Sequence, residues 1–446
     1  MSLSLTLAEL RDCLDGAVPS AVATCAADGT PNVSTVSHVQ YVDESHVALS
    51  FQFFSKTREN VLATRRAVAQ LVHPQTGASF RLRLEYLRTE TEGPLFERMK
   101  ARLAGIASHT GMSGVFKLRG SDVYRVARIE QVPGSVLPMP PRANLLPLLR
   151  ECAERFGVSG DLGTLLDSAL GMLDKVFGIR HAMILMLDGT GKRLFTVASR
   201  GYDASGVGSE IAVGCGVIGV AAAQATPIRI THMTAEYSYG NAVRESAQRD
   251  GLADLIETAI PFPGLPDSRS QLAVPIVVGG RRLGVLYVES PQDLRFGYDD
   301  EDALVAFAAP LGLAILHLQQ SSEAVEEAPA PPSAAAPARG EPVVIRHYPA
   351  DNSVFIGEDY LIKGVAGAIF AKLARERAEQ GRSEFTNREL RLDPTLRLPE
   401  LGDNLEARLI LLQRRLAERC SFLRIEKTGR GRFRLAADRA YRLQRA

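Results

Sequence analysis

Cysteine is scarce and unpaired. Five stand in 446 residues, at 13, 25, 152, 215 and 420, with no CxxC and no even framework. That scatter excludes a disulfide scaffold, argues against a structural zinc site and suits a reducing compartment. An excess of one charge is missing too. The formal net charge is +1, so the molecule as a whole declares no polyanion partner. The longest apolar run, 303–316, is too short to cross a bilayer and contains Pro310. The first residues, MSLSLTLAEL, have neither a charged n-region nor a long apolar h-region. A cytoplasmic protein with no membrane partner is expected. Walker loop, histidine-kinase box, receiver phosphoacceptor pattern and paired catalytic carboxylates are all lacking, so no catalytic residue and no metal site is assigned.

What is present has a normal globular balance, 46% apolar and 23% charged, in a length that suits about three domains. The charge is unevenly spread. From residue 342 onward, 21 Lys/Arg stand against 14 Asp/Glu, a surplus of +7 on a mildly acidic remainder. Two breaks divide the chain. VLPMPPRA at 136–143 is a proline-rich hinge that leads into a helix from about 144 to 156. SSEAVEEAPAPPSAAAPARGE at 321–341 is Ala/Pro/Glu-rich and cannot bury a core, so it reads as a tether. The expected organisation is a unit at 1–135, hinge and connecting helix at 136–159, a second unit at 160–318, a linker at 319–341 and a third unit at 342–446.

In the last unit, 403–435 reads DNLEARLILLQRRLAERCSFLRIEKTGRGRFRL. Leu405, Leu409, Leu412 and Leu416 recur at i, i+4, i+7 and i+11, one apolar helix face. Strand-like LRIEK, a turn at Thr428-Gly429-Arg430-Gly431 and strand-like RFRL follow, a hairpin pattern. Upstream lie a strand-like opening, a helix at 365–380 and SEFTNREL, in which Thr386 and Glu389 have capping-box spacing. A helix followed by a basic, glycine-turned hairpin resembles the winged-helix domain of response-regulator output type. The resemblance implies double-stranded DNA as partner, with Gln413, Arg414 and Arg415 reaching the major groove. Lys427, Thr428, Arg430 and Arg432 would meet the minor groove or phosphates. Ile410 and Leu411 occupy two positions where that family usually carries basic residues, and an apolar side chain can only touch a thymine methyl. The alternative is a winged helix used for protein contact, with these two as the docking patch.

The first unit opens on a helix at 6–14, with Thr6 and Glu9 at capping-box spacing. It continues through SAVATCAADGTPNVSTVSHVQYVDESHVALSF, three β-rich runs, into Ser55-Lys56-Thr57-Arg58-Glu59-Asn60-Val61 and a strand at 67–74. A helix at 94–106 and strands at 114–118 and 122–130 complete it. This succession resembles the pyridoxamine-phosphate-oxidase-like split barrel, many members of which bind FMN. The resemblance implies Ser37 and His38 beside the flavin ring and Ser55, Lys56, Thr57 and Arg58 at its phosphate, which one cation, hydroxyls and amides can neutralise. Ser20-Ala21 stand where that family often has an arginine, and the other readings are an empty barrel or one holding haem.

In the second unit, Leu162, Leu165, Leu166, Ala169 and Leu173 space a helix over 161–177. Strands HAMILML and RLFTVAS follow, then G-x-G-x-x-G-x-A at 214–221, AVPIVVGGRRLGVLYVES with a turn at Gly279-Gly280, and an amphipathic helix at 299–318. The glycine motif does not sit in a βαβ unit with the expected acidic residue, so it reads as packing a helix on a sheet. These blocks resemble the GAF sensor domain. The resemblance implies a ligand between the sheet and 232–257, which nominates His232, Tyr237, Tyr239, Asn241 and Arg244. His232 is also a candidate haem ligand and Cys215 a redox sensor.

The expected fold is multidomain: a β-rich split barrel, then an α/β GAF domain, then an α+β winged helix. The expected function is a ligand- or redox-responsive transcriptional regulator, homodimeric through the barrel and the helices at 144–156 and 300–318. An FMN-dependent oxidoreductase with regulatory GAF and protein-interaction winged-helix domains is the alternative, and a ligand-free scaffold a third.

Overall fold

The computed structural model describes residues 5–14, 18, 20–36, 39–51, 55–109, 118–141, 144–230, 260–321, 342–396, 398, 405–429 and 431–445. Of the candidate site residues, Ser37, His38, His232, Tyr237, Tyr239, Asn241, Arg244 and Arg430 lie outside the described residues, as does most of the strand expected at 114–118.

The N-terminal unit is a seven-stranded antiparallel sheet, β-rich and half-barrel in character. Its strands are β1 (Ser20–Cys25), β2 (Pro31–Val36), β3 (Val39–Tyr41), β4 (His46–Phe51), β5 (Arg66–Val72), β6 (Ser79–Glu90) and β7 (Gly120–Val132), in the order β2-β1-β5-β6-β7-β4-β3. The helices are α1 (Lys56–Thr64) and α2 (Pro94–His109). The Glu9 carboxylate accepts from the Thr6 N–H at 2.8 Å and hydroxyl at 2.9 Å, but the helix it opens is a 3-10 helix, Ala8–Leu14, rather than an α-helix. Alternation splits β4 between two cores: Val47 and Leu49 join Leu71, Leu82 and Leu84 on one face, and Ala48 joins Leu95, Phe96 and Met99 of α2 on the other.

The middle unit holds α3 (Leu146–Gly157), α4 (Leu162–Lys175), β8 (His181–Leu187), β9 (Arg193–Arg200), β10 (Glu210–Ala212), α5 (Gly216–Gln224), β11 (Ile228–Ile230), β12 (Ser270–Val278), β13 (Arg281–Ser290) and α6 (Tyr298–Ser321). Its antiparallel sheet runs β10-β9-β8-β13-β12-β11. Helices α3, α4 and α6 bury one face, through Phe156, Leu165, Leu173, Phe307 and Leu311, and α5 covers the other. The glycine motif packs as expected: a Cβ on Gly219 would lie 2.3 Å from the Ala212 carbonyl oxygen. Gly279 and Gly280 take φ of 55° and 78°, the left-handed turn between β12 and β13. Helix α6 is long and apolar enough, by length and composition, to cross a membrane. Its Phe307, Leu311 and Ile315 are nonetheless fully buried in the core of this unit.

The C-terminal unit opens with β14 (Val343–Tyr348), β15 (Ser353–Ile356) and β16 (Asp359–Ile362), then α7 (Gly364–Gln380), β17 (Glu384–Thr386), α8 (Asn387–Leu392) and α9 (Leu405–Arg419). It closes with the hairpin β18 (Leu423–Gly429) and β19 (Arg432–Ala437), and β20 (Tyr441–Arg445). One sheet runs β16-β15-β14-β20, the other β17-β19-β18. The Thr386 hydroxyl accepts from the Glu389 N–H at 3.2 Å and caps α8. Strand β20 lies parallel to β14 and ties the end of the unit to its opening strand.

The three units touch. Helix α2 packs on α5 and β11. Arg11 donates to Asp302 at 3.0 Å and stacks on Tyr298, whose ring Arg229 also contacts. The core of the middle unit continues without a break into that of the C-terminal unit.

Candidate functional site

Helix α9 is buried on two sides, and this is the feature around which the site is built. Its leucine stripe does what the spacing predicts: Leu405, Leu409, Leu412 and Leu416 are buried in the shared core. The opposite face, expected to meet a partner from outside, meets the middle unit instead. Arg414 donates to the Val197 carbonyl of β9 at 2.9 Å and to the Asp167 carboxylate of α4 at 2.7 Å. The Arg408 guanidinium lies 3.6 Å from the centre of the Phe195 ring, a cation–π contact. Ser205 donates to the Glu418 carboxylate. Leu411 is 2% exposed, and Ile410 lies 4.0 Å from where a Cβ on Gly163 would stand. The two apolar residues that depart from a nucleic-acid surface thus form a docking patch within the chain itself.

Arg415 is a correction to the sequence reading. It is 3% exposed, donates to the Leu361 carbonyl of β16 at 3.1 Å and pairs with Glu418 at 3.1 Å. Burial lowers its pKa from the ordinary guanidinium value. It ties α9 to the opening sheet of its own unit and does not face outward. Gln413 is exposed at the rim of a cleft of about 150 Å³, between the start of α4, the end of α6, α9 and the hairpin. Lys427 and Arg432 line the same cleft, and Thr428 is exposed at the hairpin tip. Arg424 and Arg434 of the hairpin pair within it: Glu426 accepts from both.

Beside α9 lies the turn 201–209, which joins β9 to β10. One end faces α9: Ser205 bonds Glu418, and a Cβ on Gly208 would stand 3.8 Å from both Leu411 and Arg415 side chains. The other end faces the α5 side of the sheet. There Tyr202 stacks edge-on with His181, with ring centres 5.6 Å apart, and its hydroxyl is buried near the Glu289 carboxylate without a hydrogen-bond partner of its own among the described residues. Glu289 is 3% exposed and accepts from the Leu265 N–H at 3.1 Å and the Tyr287 hydroxyl at 3.3 Å. Burial raises its pKa above the usual carboxylate value, against the opposing hydrogen bonds. Segment 260–268 closes over the same place: Pro263 fills the space where a Gly206 side chain would go, and Ile260 that of Gly208.

In the N-terminal unit the four neighbouring phosphate candidates part ways. Ser55 caps α1, accepting from the Arg58 N–H at 3.3 Å. Lys56 is at the surface, its side chain 58% exposed and paired with Glu59. Thr57 turns inward to Asn32 at 2.9 Å and Ser34 at 2.8 Å. Arg58 enters a nearly buried network with Asp122 at 3.3 Å and Thr89 at 3.1 Å.

Asp167, Phe195, Tyr202, Ser205, Glu289, Arg408 and Glu418 are not among the residues that sequence reasoning singles out. Glu289 alone carries a local signal, a charge at the end of the apolar strand GVLYVES. The others acquire meaning only from partners distant in the chain, some of them over 200 residues away.

The GAF-domain family model matches residues 161–315. No curated protein matches the chain. Among solved structures, the chain is similar to the GAF domain of Acinetobacter phosphoenolpyruvate-protein phosphotransferase, with 22% identity, 40% of this chain and 97% of that chain covered, and a TM-score of 0.31. It is also similar to Group A Streptococcus HupZ, with 20% identity, 30% and 100% covered and a TM-score of 0.24. An FMN-binding protein from Syntrophomonas wolfei follows, with 18% identity, 28% and 88% covered and a TM-score of 0.24. The family match coincides with the unit whose sheet, glycine-packed α5 and flanking helices are described above: residues 161–315 are a GAF domain.

Proposed function

We propose that this chain is a signal-responsive regulator of transcription, in which the GAF domain senses a small-molecule or redox signal and the C-terminal unit binds double-stranded DNA. The observation that carries the reading is the position of α9, a helix shared between the sensor's sheet and the core of a unit with a basic hairpin. A change on the sensor side therefore has a short physical route to the output. Within the C-terminal unit, the order of a small opening sheet, α7, α8, α9 and hairpin supports the winged-helix reading, in which α9 is the helix offered to DNA. The surplus of +7 from residue 342 onward supports a polyanion partner for this end of the molecule.

Titration of the full chain against genomic duplex fragments at low and moderate salt tests the proposal. Binding should weaken steeply with salt. Removing Arg430 and Arg432 together should reduce the log–log salt slope by about 0.9 for each phosphate that the pair neutralises. No binding at any salt concentration, with the duplex in excess, refutes it.

A further inference from the structure

The face of α9 that DNA would need is the face the GAF domain holds. Arg408, Ile410, Leu411 and Arg414 are all spent on β9, α4 and the turn 201–209. An α-helix is only about 10–12 Å across with its side chains, and its other side is already sunk in the C-terminal core. What stays exposed on α9 is a narrow strip at Gln413, Ala417, Glu418 and Arg419, which leaves out the Arg408 and Arg414 side chains held on the GAF side. We propose that docking on the GAF domain and binding to DNA are mutually exclusive states of α9, and that the turn 201–209 is the part of the sensor that moves α9 between them. This rests on the DNA-binding reading above and names how that site is regulated.

The turn is suited to the task because it is stiff and two-ended. Its backbone is pinned by Gly208 N–H to the Thr196 carbonyl at 2.8 Å and by Ser209 N–H to the Gly206 carbonyl at 2.9 Å. The Ser209 and Thr196 hydroxyls lie 2.9 Å apart. A turn braced in this way moves as a piece and does not absorb a displacement locally. At one end the Tyr202 ring stands edge-on to His181, on the sheet face opposite α3, α4 and α6. At the other, Ser205 and Gly208 touch Glu418, Leu411 and Arg415. Pro263 sits on Gly206 between the two. A shift of the groups packed on that face reaches α9 through one rigid piece of chain, the turn 201–209 itself.

The interactions are also of a strength that can be released. Asp167 is 71% exposed, so its pair with Arg414 is a weak surface clasp. The larger part of the seat is the Arg408–Phe195 stack and the two apolar side chains. A lock of this kind holds by several small terms and opens when two or three give way together.

The test uses the full chain and two readouts: amide hydrogen exchange of 405–419, which reports docking, and binding of a fluorescent mixed-sequence duplex. Asp167→Arg sets a like charge against Arg414, and Tyr202→Phe removes the hydroxyl from Glu289; both change the GAF domain and leave α9 intact. Glu154→Arg, whose partner is Arg150 on its own helix, controls for added positive charge. Both test variants should speed exchange in α9 and tighten duplex binding by about ten-fold over the wild type, and the control should do neither. Faster exchange in α9 with duplex binding unchanged from the wild type overturns the exclusion while the DNA reading stands. Faster exchange with no duplex bound by any of the proteins overturns the DNA reading and leaves the release of α9 measured. Faster exchange in Asp167→Arg but none in Tyr202→Phe removes the turn as the moving part.

Discussion

Arg58 and Lys56 are two residues apart and have opposite fates. Arg58 is drawn into the N-terminal unit against Asp122, both side chains at most 15% exposed. Arg58→Ala leaves that carboxylate nearly buried without its cation, and such breaks cost about 3–5 kcal/mol. The loss should appear as an earlier urea transition of this unit, followed by near-UV dichroism. Lys56 stands at the surface, and if the unit takes up FMN through this segment, Lys56→Ala should weaken uptake by about ten-fold or more, since a charge-assisted bond is worth about 1.5–3 kcal/mol. Flavin absorbance during titration reads the difference, and undiminished uptake removes Lys56 from the site. Glu289 makes a pH prediction. Its folded pKa is raised, chiefly by burial, so the protonated carboxyl is the form the fold favours. Its contribution to stability is fully present below the unfolded value near about 4.3 and is lost as pH rises through the folded one. Glu289→Gln should flatten that part of the stability–pH curve in urea melts at a series of pH values, and an unchanged curve would show that another group carries it.

At the scale of elements, α9 concentrates the energetics. Leu412 is fully buried where the GAF and C-terminal cores meet, and Leu412→Ala should cost about 2–5 kcal/mol, measurable as a lower urea midpoint of the transition that includes α9. Much of this element scale is readable from one sequence. Helix α4 begins on the Asp161 cap, which accepts from the Thr164 N–H at 2.9 Å, and strand β8 coincides with HAMILML. Both are local patterns, an N-cap with helical spacing and a continuous apolar run, and local patterns are what one sequence displays. Strand β6 is absent from the expected elements although SFRLRLEYLRTE alternates apolar with charged residues, with Phe80, Leu82, Leu84 and Tyr86 all buried; its period of two is a local strand signal of the legible kind. Strand β20 carries no such signal, because its pairing with β14 is parallel and about 100 residues distant in sequence. The seat of α9 is illegible for the same reason. Arg414 and Arg415 look alike in a sequence, and only the fold decides that one reaches Asp167 and the other Leu361.

At the scale of the whole molecule, α6 carries a strip that is exposed among the described residues. Ala306, Ala309 and Leu313 recur at spacings of three and four and are all exposed, Leu313 by 59%, the pattern of a helix–helix seam with small residues for close approach. A second copy of the chain meeting this stripe would make the expected homodimer. Light scattering at micromolar concentration should then give twice the chain mass, and Leu313→Glu should return it toward that of one chain; a monomeric wild type rules the seam out. The unbroken apolar core from α3 through α6 into α9 and the hairpin has a different consequence, which concerns heat. A domain melts as a unit when its parts share an interior, and here the covalent division of the chain does not follow the division of its interiors. The GAF domain and the C-terminal unit should therefore absorb heat in one endotherm and the N-terminal unit, with its own cores, in another. A calorimetric trace of the full chain should show two peaks where the three-unit order of the sequence would suggest three.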